Sequence, residues 1–455
     1  MKPGALWYYR LSPLIIVIAA LGSTFWSLNA RHYFYADDWG WLEHTAFANW
    51  SDIFHLFPKG IYNDRPAGAI FIFLMYRVFG LDSHAYNVFW LLLHVLNCLI
   101  FYKLVRQILP ANRALIASIV AAAWFSTLIA VHWVGAIFDL AGATWCMLCV
   151  LLYVQARRAS RWAWLLLIGA ALTHILAIRC KEFAMALVVV LASWEFLVIE
   201  SDSFSRRLIR LAPHFFITVL YGLIYIRLYR LDAAFVSDGA YKIALSPSTV
   251  LANVAYYMSQ AFYMPEHSSP LLGYLLLLVI VVIGFSSRAA LAGLISAAAL
   301  MSAVLIMPNQ RNILYLYAPH FFLAFSLCAI KPRSLVVTNL MVVLAVLLLG
   351  WPFYSHQWKW SRDFYLSTGA YSNRLMNDYK REMNGKPVPH MVTIGVTQPY
   401  FDPFSWGRGA ALRLYYRNRT IKANVVQLSG SKDDPCEKVA GVCLVEREGH
   451  LVLHQ

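Results

Sequence analysis

The chain has 455 residues, 60% of them apolar and only 13% charged, with a formal net charge of +15. Soluble domains carry roughly twice that share of charge, so the composition excludes the ordinary soluble class and points to a membrane protein. The basic residues sit in short clusters between apolar runs, so the positive charge reports topology and not a nucleic-acid partner.

From the N-terminus, Leu11 to Ala30 is an apolar run near twenty residues, long enough to cross a bilayer. It lacks a clear small-residue cleavage pattern and reads as a retained first helix. Residues 31–83 follow as a long first external loop. Within it the aromatic stretch Trp39 to Phe57 and the short apolar segment Pro66 to Leu81, which contains Arg77, read as interfacial helices. Further spans are expected at 85–105, 114–131, 136–155, 162–178, 184–199, 211–230, 270–285, 289–307, 313–330 and 334–352. With the first helix that makes about eleven. None alternates polar and apolar residues as barrel strands do, so an all-α polytopic bundle is expected.

Basic clusters at Lys2 and Arg10, Lys103 to Arg113, Arg157 to Arg161, Arg206 to Arg210, Arg288, and Lys331 with Arg333 fall at alternate ends of successive spans. The positive-inside rule makes these ends cytoplasmic. After Pro352 the hydropathy drops. Residues 354–455 read as a small α/β domain beyond a membrane module of residues 1–353, with Met391 to Val396 as a strand and Ala410 to Tyr416 as a helix. An odd number of spans places this domain outside, where Cys436 and Cys443 are expected to form a disulfide. Cys146 and Cys149, inside a span, read as packing residues.

Ionisable residues at membrane-helix ends are costly to desolvate and are therefore candidates for function. Those on the external side are Asp37 and Asp38 in the first loop, His132 and Asp139 around the start of the fourth span, Lys181 and Glu182 after the fifth, and Arg311 before the tenth. Two adjacent carboxylates near cations can accept a proton from an attacking hydroxyl or hold a divalent metal through hard oxygen ligands. Spacing alone also fits a solvated turn for the acidic pair, a core histidine, a local Lys–Glu ion pair and an interfacial arginine. The charges gather on one face of the membrane, which favours the functional readings.

The order of these residues resembles the GT-C superfamily, polytopic glycosyltransferases that use polyprenyl-phosphate-linked sugars, and within it bacterial relatives of the transmembrane O-mannosyltransferases. Tyr35-Ala-Asp-Asp-Trp39 is similar to the family's acidic motif in the first external loop, and Arg65-Pro66 with Phe79-Gly-Leu81, Asn87 and His94 to its juxtamembrane helix and second span. Val131-His-Trp-Val134 with Asp139 resembles a His-and-Asp segment before the fourth span, and Lys181-Glu182 a Lys-Glu pair after the fifth. Arg311 with Tyr315 and Pro319 resembles a late Arg-x-x-x-Tyr motif. The resemblance implies an inverting transferase of the bacterial inner membrane with its site on the periplasmic side. Asp37 or Asp38 would be the base, with Asp37 favoured and Asp38 then orienting it or holding a metal, and Arg65, His132, Asp139, Lys181, Glu182, Arg311 and Tyr315 would bind substrate. It implies a polyprenyl-phosphate-linked sugar donor and an envelope glycan, lipid or protein acceptor, and it leaves a divalent metal open. A flippase or transporter, or a polymerase, of lipid-linked glycans is the alternative.

Overall fold

The apolar runs fold as helices because a backbone in hydrocarbon has no water to bond, and a helix satisfies its N–H and C=O groups internally. A computed structural model describes residues 3–24, 33–59, 64–124, 126–159, 161–199, 202–229, 239, 241–262, 269–330, 356–428, 435–436 and 441–454. The described helices begin with α1 (Pro3–Ser23), α2 (Asp38–Ala46), α3 (Trp50–Ile53), α4 (Pro66–Phe79), α5 (Ser83–Val105), α6 (Ala111–Ala122) and α7 (Ser126–His132). They continue with α8 (Ile137–Ala156), α9 (Ala163–Cys180), α10 (Leu187–Leu197), α11 (Phe204–Tyr229) and α12 (Pro247–Ala261). Next come α13 (Pro270–Gly284), α14 (Arg288–Leu305), α15 (Tyr317–Cys328), α16 (His356–Glu382) and α17 (Ala410–Tyr416).

Among the described residues, five helices are long and apolar enough to cross a membrane, and α6 with α7, if counted as one bent span, makes six. Shorter apolar helices add to these, and the span expected at 334–352 lies outside the described residues. The protein is an integral membrane protein. Helix α4 has 14 residues. At 1.5 Å per residue it reaches about 21 Å, short of a hydrocarbon core about 30 Å thick. Its residues Ala67, Ala69, Ile72 and Met75 are buried in the main core, while Val78 and Phe79 are exposed.

Small residues let helices approach closely where lipid provides no hydrophobic drive between them. A Cβ on Gly293 of α14 would lie 2.8 Å from the Phe322 carbonyl oxygen of α15. Polar side chains add specific ties. Asn97 of α5 donates to the Leu140 carbonyl at 3.0 Å and to the Tyr317 hydroxyl at 3.1 Å, and accepts from Thr144 at 2.6 Å. One asparagine therefore joins α5, α8 and α15.

Helix α8 has 20 residues and separates two charged regions by about 30 Å. At its C-terminal end Arg157 donates to Glu195 at 3.2 Å, and Arg210 pairs with Asp202 at 2.6 Å, tying α8, α10 and α11. At its N-terminal end lies Asp139, beside the cavity described below.

Beyond the membrane helices, α16 packs on a four-stranded sheet of β1 (Met391–Val396), β2 (Lys422–Gln427), β3 (Val442–Arg447) and β4 (His450–Leu453). The order is β2-β1-β3-β4, with β1 parallel to both β2 and β3, and β4 antiparallel to β3. Cys436 and Cys443 are joined by a disulfide. This layer rests on α2: Trp39 donates its indole N–H to Ser372 of α16 at 3.2 Å, and Arg413 of α17 pairs with Glu43 of α2.

Candidate active site

The acidic pair is held at a helix start that has been forced into place. Ala36 has a left-handed backbone with φ of 50°, which costs a residue with a Cβ about 1–2 kcal/mol. Asp37 then caps α2 and Asp38 opens its first turn, where the helix dipole favours negative charge. Opposite them the chain breaks between α7 and α8, and the break supplies the donors. The Trp133 indole donates to Asp37 Oδ1 at 3.1 Å, and the Gly135 N–H donates to Asp38 Oδ1 at 3.0 Å.

The two carboxylates are not equivalent. Asp37 lines a cavity of about 940 Å³, whereas Asp38 is only 1% exposed and is not among the residues that line it. The second oxygen of Asp38 accepts the Tyr35 N–H at 3.3 Å, so both its oxygens are spent on backbone. Asp38 therefore orients the loop and does not face the cavity. A metal held by both carboxylates does not fit this arrangement, and among the described residues no group of three or more His, Cys, Asp or Glu side chains is gathered as for a metal. Burial raises the pKa of Asp37 to about 6, against the opposing pull of the Trp133 hydrogen bond and the Arg65 charge.

Across the cavity two ion pairs form a frame. Helix α9 ends at Cys180 and the chain turns extended at Lys181, whose ammonium pairs with Asp139 in the first turn of α8. The Lys181 Nζ also sits 4.8 Å from the centre of the Tyr315 ring, a cation–π contact. Arg65, at the start of α4, meets Glu182 in a two-pronged pair at 3.1 and 3.0 Å. Pro66 at the first helical position fixes that start, and Gly68 leaves room for Phe138, where a Cβ would come within 2.3 Å of the ring. Phe138 in turn lies under the Arg65 guanidinium at 5.6 Å.

Of the residues singled out by sequence, Asp37, Arg65, Asp139, Lys181 and Tyr315 line one cavity. Glu182 acts through Arg65. His132 is buried at the end of α7 and Arg311 donates to Asn253 at 2.9 Å; neither is among the lining residues. The cavity also takes in side chains that no motif flagged, among them His44, His55 and Asp64, together with Tyr400 and Trp406 from the C-terminal layer, and Trp133 from within the Val131-His-Trp-Val134 motif. Asp64 is held by Arg179 at 3.1 Å and by His55 at 3.1 Å. Trp133 adjoins the flagged His132, so its neighbourhood was visible; Tyr400 and Trp406 had no such signal.

The chain, a helical membrane bundle with a small mixed sheet beyond it, has the GT-C fold. Two solved structures share it: ArnT from Cupriavidus metallidurans in the apo state, 16% identical with a TM-score of 0.53 over 91% of this chain and 86% of that one, and ArnT bound to undecaprenyl phosphate, 14% identical with a TM-score of 0.52 over 94% and 87%. Residues 63–229, which include Arg65, Asp139, Lys181 and Glu182, match the family described as dolichyl-phosphate-mannose-protein mannosyltransferase. No curated protein matches the chain.

Proposed function

We propose that this protein is an inverting glycosyltransferase that takes a sugar from a polyprenyl-phosphate-linked donor and passes it to a hydroxyl of an envelope acceptor. The observation that carries the reading is the placement of Asp37 in the same cavity as Lys181 and Arg65. The matched family and the undecaprenyl phosphate bound by ArnT support the donor class.

In the proposed step the acceptor hydroxyl gives its proton to Asp37 as its oxygen bonds to the anomeric carbon. The bond from that carbon to the lipid phosphate breaks, and the electron pair leaves with the phosphate oxygen. A single displacement from the opposite face inverts the configuration. Charge grows on the departing phosphate, and cations already fixed in place stabilise it without reorganising. Lys181 suits this role, since an ammonium has three N–H donors and Asp139 occupies one. Ion pairing holds both cations in register with Asp37.

Transfer from a purified lipid-linked donor by the protein in nanodiscs tests the reading, and absence of transfer from every polyprenyl-phosphate sugar tried would count against it. The base must be ionised to work. Transfer should therefore rise with pH, reaching half its plateau near pH 6, because Asp37 is protonated below that value. A rising limb centred near pH 4 would show that burial does not raise Asp37, and a rate with no rising limb between about pH 4 and 7 would remove Asp37 from the role.

The proposed location is the bacterial inner membrane with the cavity on the periplasmic side. A periplasm-active reporter fused after Gln455 should be active, and activity of a cytoplasm-only reporter there would reverse the orientation.

A further inference from the structure

The central strand β1 is followed in sequence by β2 on one side and then by β3 on the other. In open parallel sheets this divergence leaves a crevice at the carboxyl end of the strand, where ligands settle. The carboxyl end of β1 leads directly into residues 397–409, and from this segment Tyr400, Trp406 and Gly407 line the cavity that holds Asp37.

The segment is braced more heavily than a connector requires. Asp402, fully buried, accepts the N–H groups of Phe404 and Ser405 and the Ser405 hydroxyl. Glu446 of β3 accepts the Thr397 N–H at 2.7 Å and its hydroxyl at 2.8 Å. Arg413 uses all five guanidinium N–H donors: two on Glu43 and three on the carbonyls of Arg408, Ile421 and Gly407. It thus ties the segment to α2, the helix that Asp37 caps. Gly407, Arg408 and Gly409 all have left-handed backbones, with φ of 62°, 54° and 108°. A non-glycine residue held there stores strain, which persists only where the surroundings over-determine it. Trp406 donates its indole N–H to the Tyr400 carbonyl at 3.2 Å, and the two rings meet edge to face at 5.9 Å.

A surface fixed in advance binds without paying the ordering entropy of a mobile loop. The faces it offers are aromatic: Tyr400 and Trp406, with Trp41 of α2 also lining the cavity. Flat apolar rings with polar edges match the C–H face of a pyranose and its hydroxyls. The lining cations Lys59, Arg65 and Lys181 come from other elements, and Arg408, the cation of this segment, is not among the lining residues.

We propose that residues 397–409 form the acceptor subsite, that Tyr400 and Trp406 bind a pyranose ring of a carbohydrate acceptor, and that Arg413 positions this subsite against Asp37. The assignment rests on the glycosyltransferase reading for its chemistry, and its test is by binding, which does not need turnover. Full-length protein in detergent is titrated with mannotriose, maltotriose and chitotriose, and with a Ser/Thr-rich peptide, by saturation-transfer NMR. Undecaprenyl phosphate binding is followed on the same samples by native mass spectrometry.

At least one triose should bind the parent protein, and Trp406→Ala and Tyr400→Ala should each weaken it about tenfold or more with undecaprenyl phosphate binding retained. Arg413→Lys should weaken the triose without changing the size-exclusion profile. Tyr400 is 62% exposed, so its variant keeps the test open should the others fold poorly. The proposal is overturned if no triose binds, if binding is indifferent to Trp406 and Tyr400, or if the peptide binds in their place. Triose binding that depends on Trp406 in a protein that does not take undecaprenyl phosphate would uphold the subsite and sink the donor reading instead.

Discussion

Asp37→Asn should lower sugar transfer by about a hundredfold or more while leaving the protein folded, because asparagine keeps the side chain's size and removes its proton affinity. The Trp133 indole donates to Asp37 Oδ1, a bond that an amide oxygen can still accept, so the loop geometry survives the change. Asp38→Asn should behave differently. Both Asp38 oxygens accept backbone N–H groups, and an amide nitrogen in either place would face a second donor. Leaving a buried donor opposed in this way costs roughly 1–3 kcal/mol, so Asp38→Asn should lose thermal stability as well as rate. Transfer at the parent rate by Asp37→Asn would leave the proposed mechanism without a base and bring the flippase alternative forward.

The second large effect is expected at Lys181. Lys181→Met removes the partner of Asp139, which is 2% exposed in the first turn of α8. An uncompensated buried charge costs about 3–5 kcal/mol, which a thermal melt in detergent will register. Pairing the change with Asp139→Asn removes that charge and should recover most of the stability. It should not recover transfer, since the ammonium facing the leaving phosphate is still missing. The two variants therefore separate a structural ion pair from a catalytic cation. Restored transfer in the double variant would show that Lys181 serves only to neutralise Asp139.

Local patterning made much of this architecture legible. The strand Met391–Val396 and the helix Ala410–Tyr416 occur with the bounds that periodicity suggests, and the segment from Pro66 is a helix too short to span. Each of these is decided by a few neighbouring residues. The partners of the charges are not: Lys181 reaches Asp139 across 42 positions, and Arg65 reaches Glu182 across 117. Sequence alone left a local Lys181–Glu182 ion pair open beside the functional reading, whereas the extended backbone at Lys181 sends the two side chains to different partners. The preference for Asp37 over Asp38 as the base rested on resemblance alone, because the donors that distinguish the two are supplied by the break between α7 and α8. Tyr400 and Trp406 carry no motif at all, and only the way the sheet layer rests on α2 brings them to the cavity.

The cavity walls lie far apart in the order of synthesis: Asp37 is made long before Tyr400, Trp406 and Gly407. A chain emerging from the ribosome and threading into the bilayer thus carries its acidic loop through the making of the intervening membrane helices with one side of the chamber missing. The frame of Lys181 and Arg65 closes midway, once α9 has entered and Glu182 has met Arg65. The remaining side closes only when the final sheet has folded over α2 and Arg413 has clasped Glu43. Half-made copies are therefore open to water beside Asp37, and the chamber is complete only once the sheet layer has folded over α2.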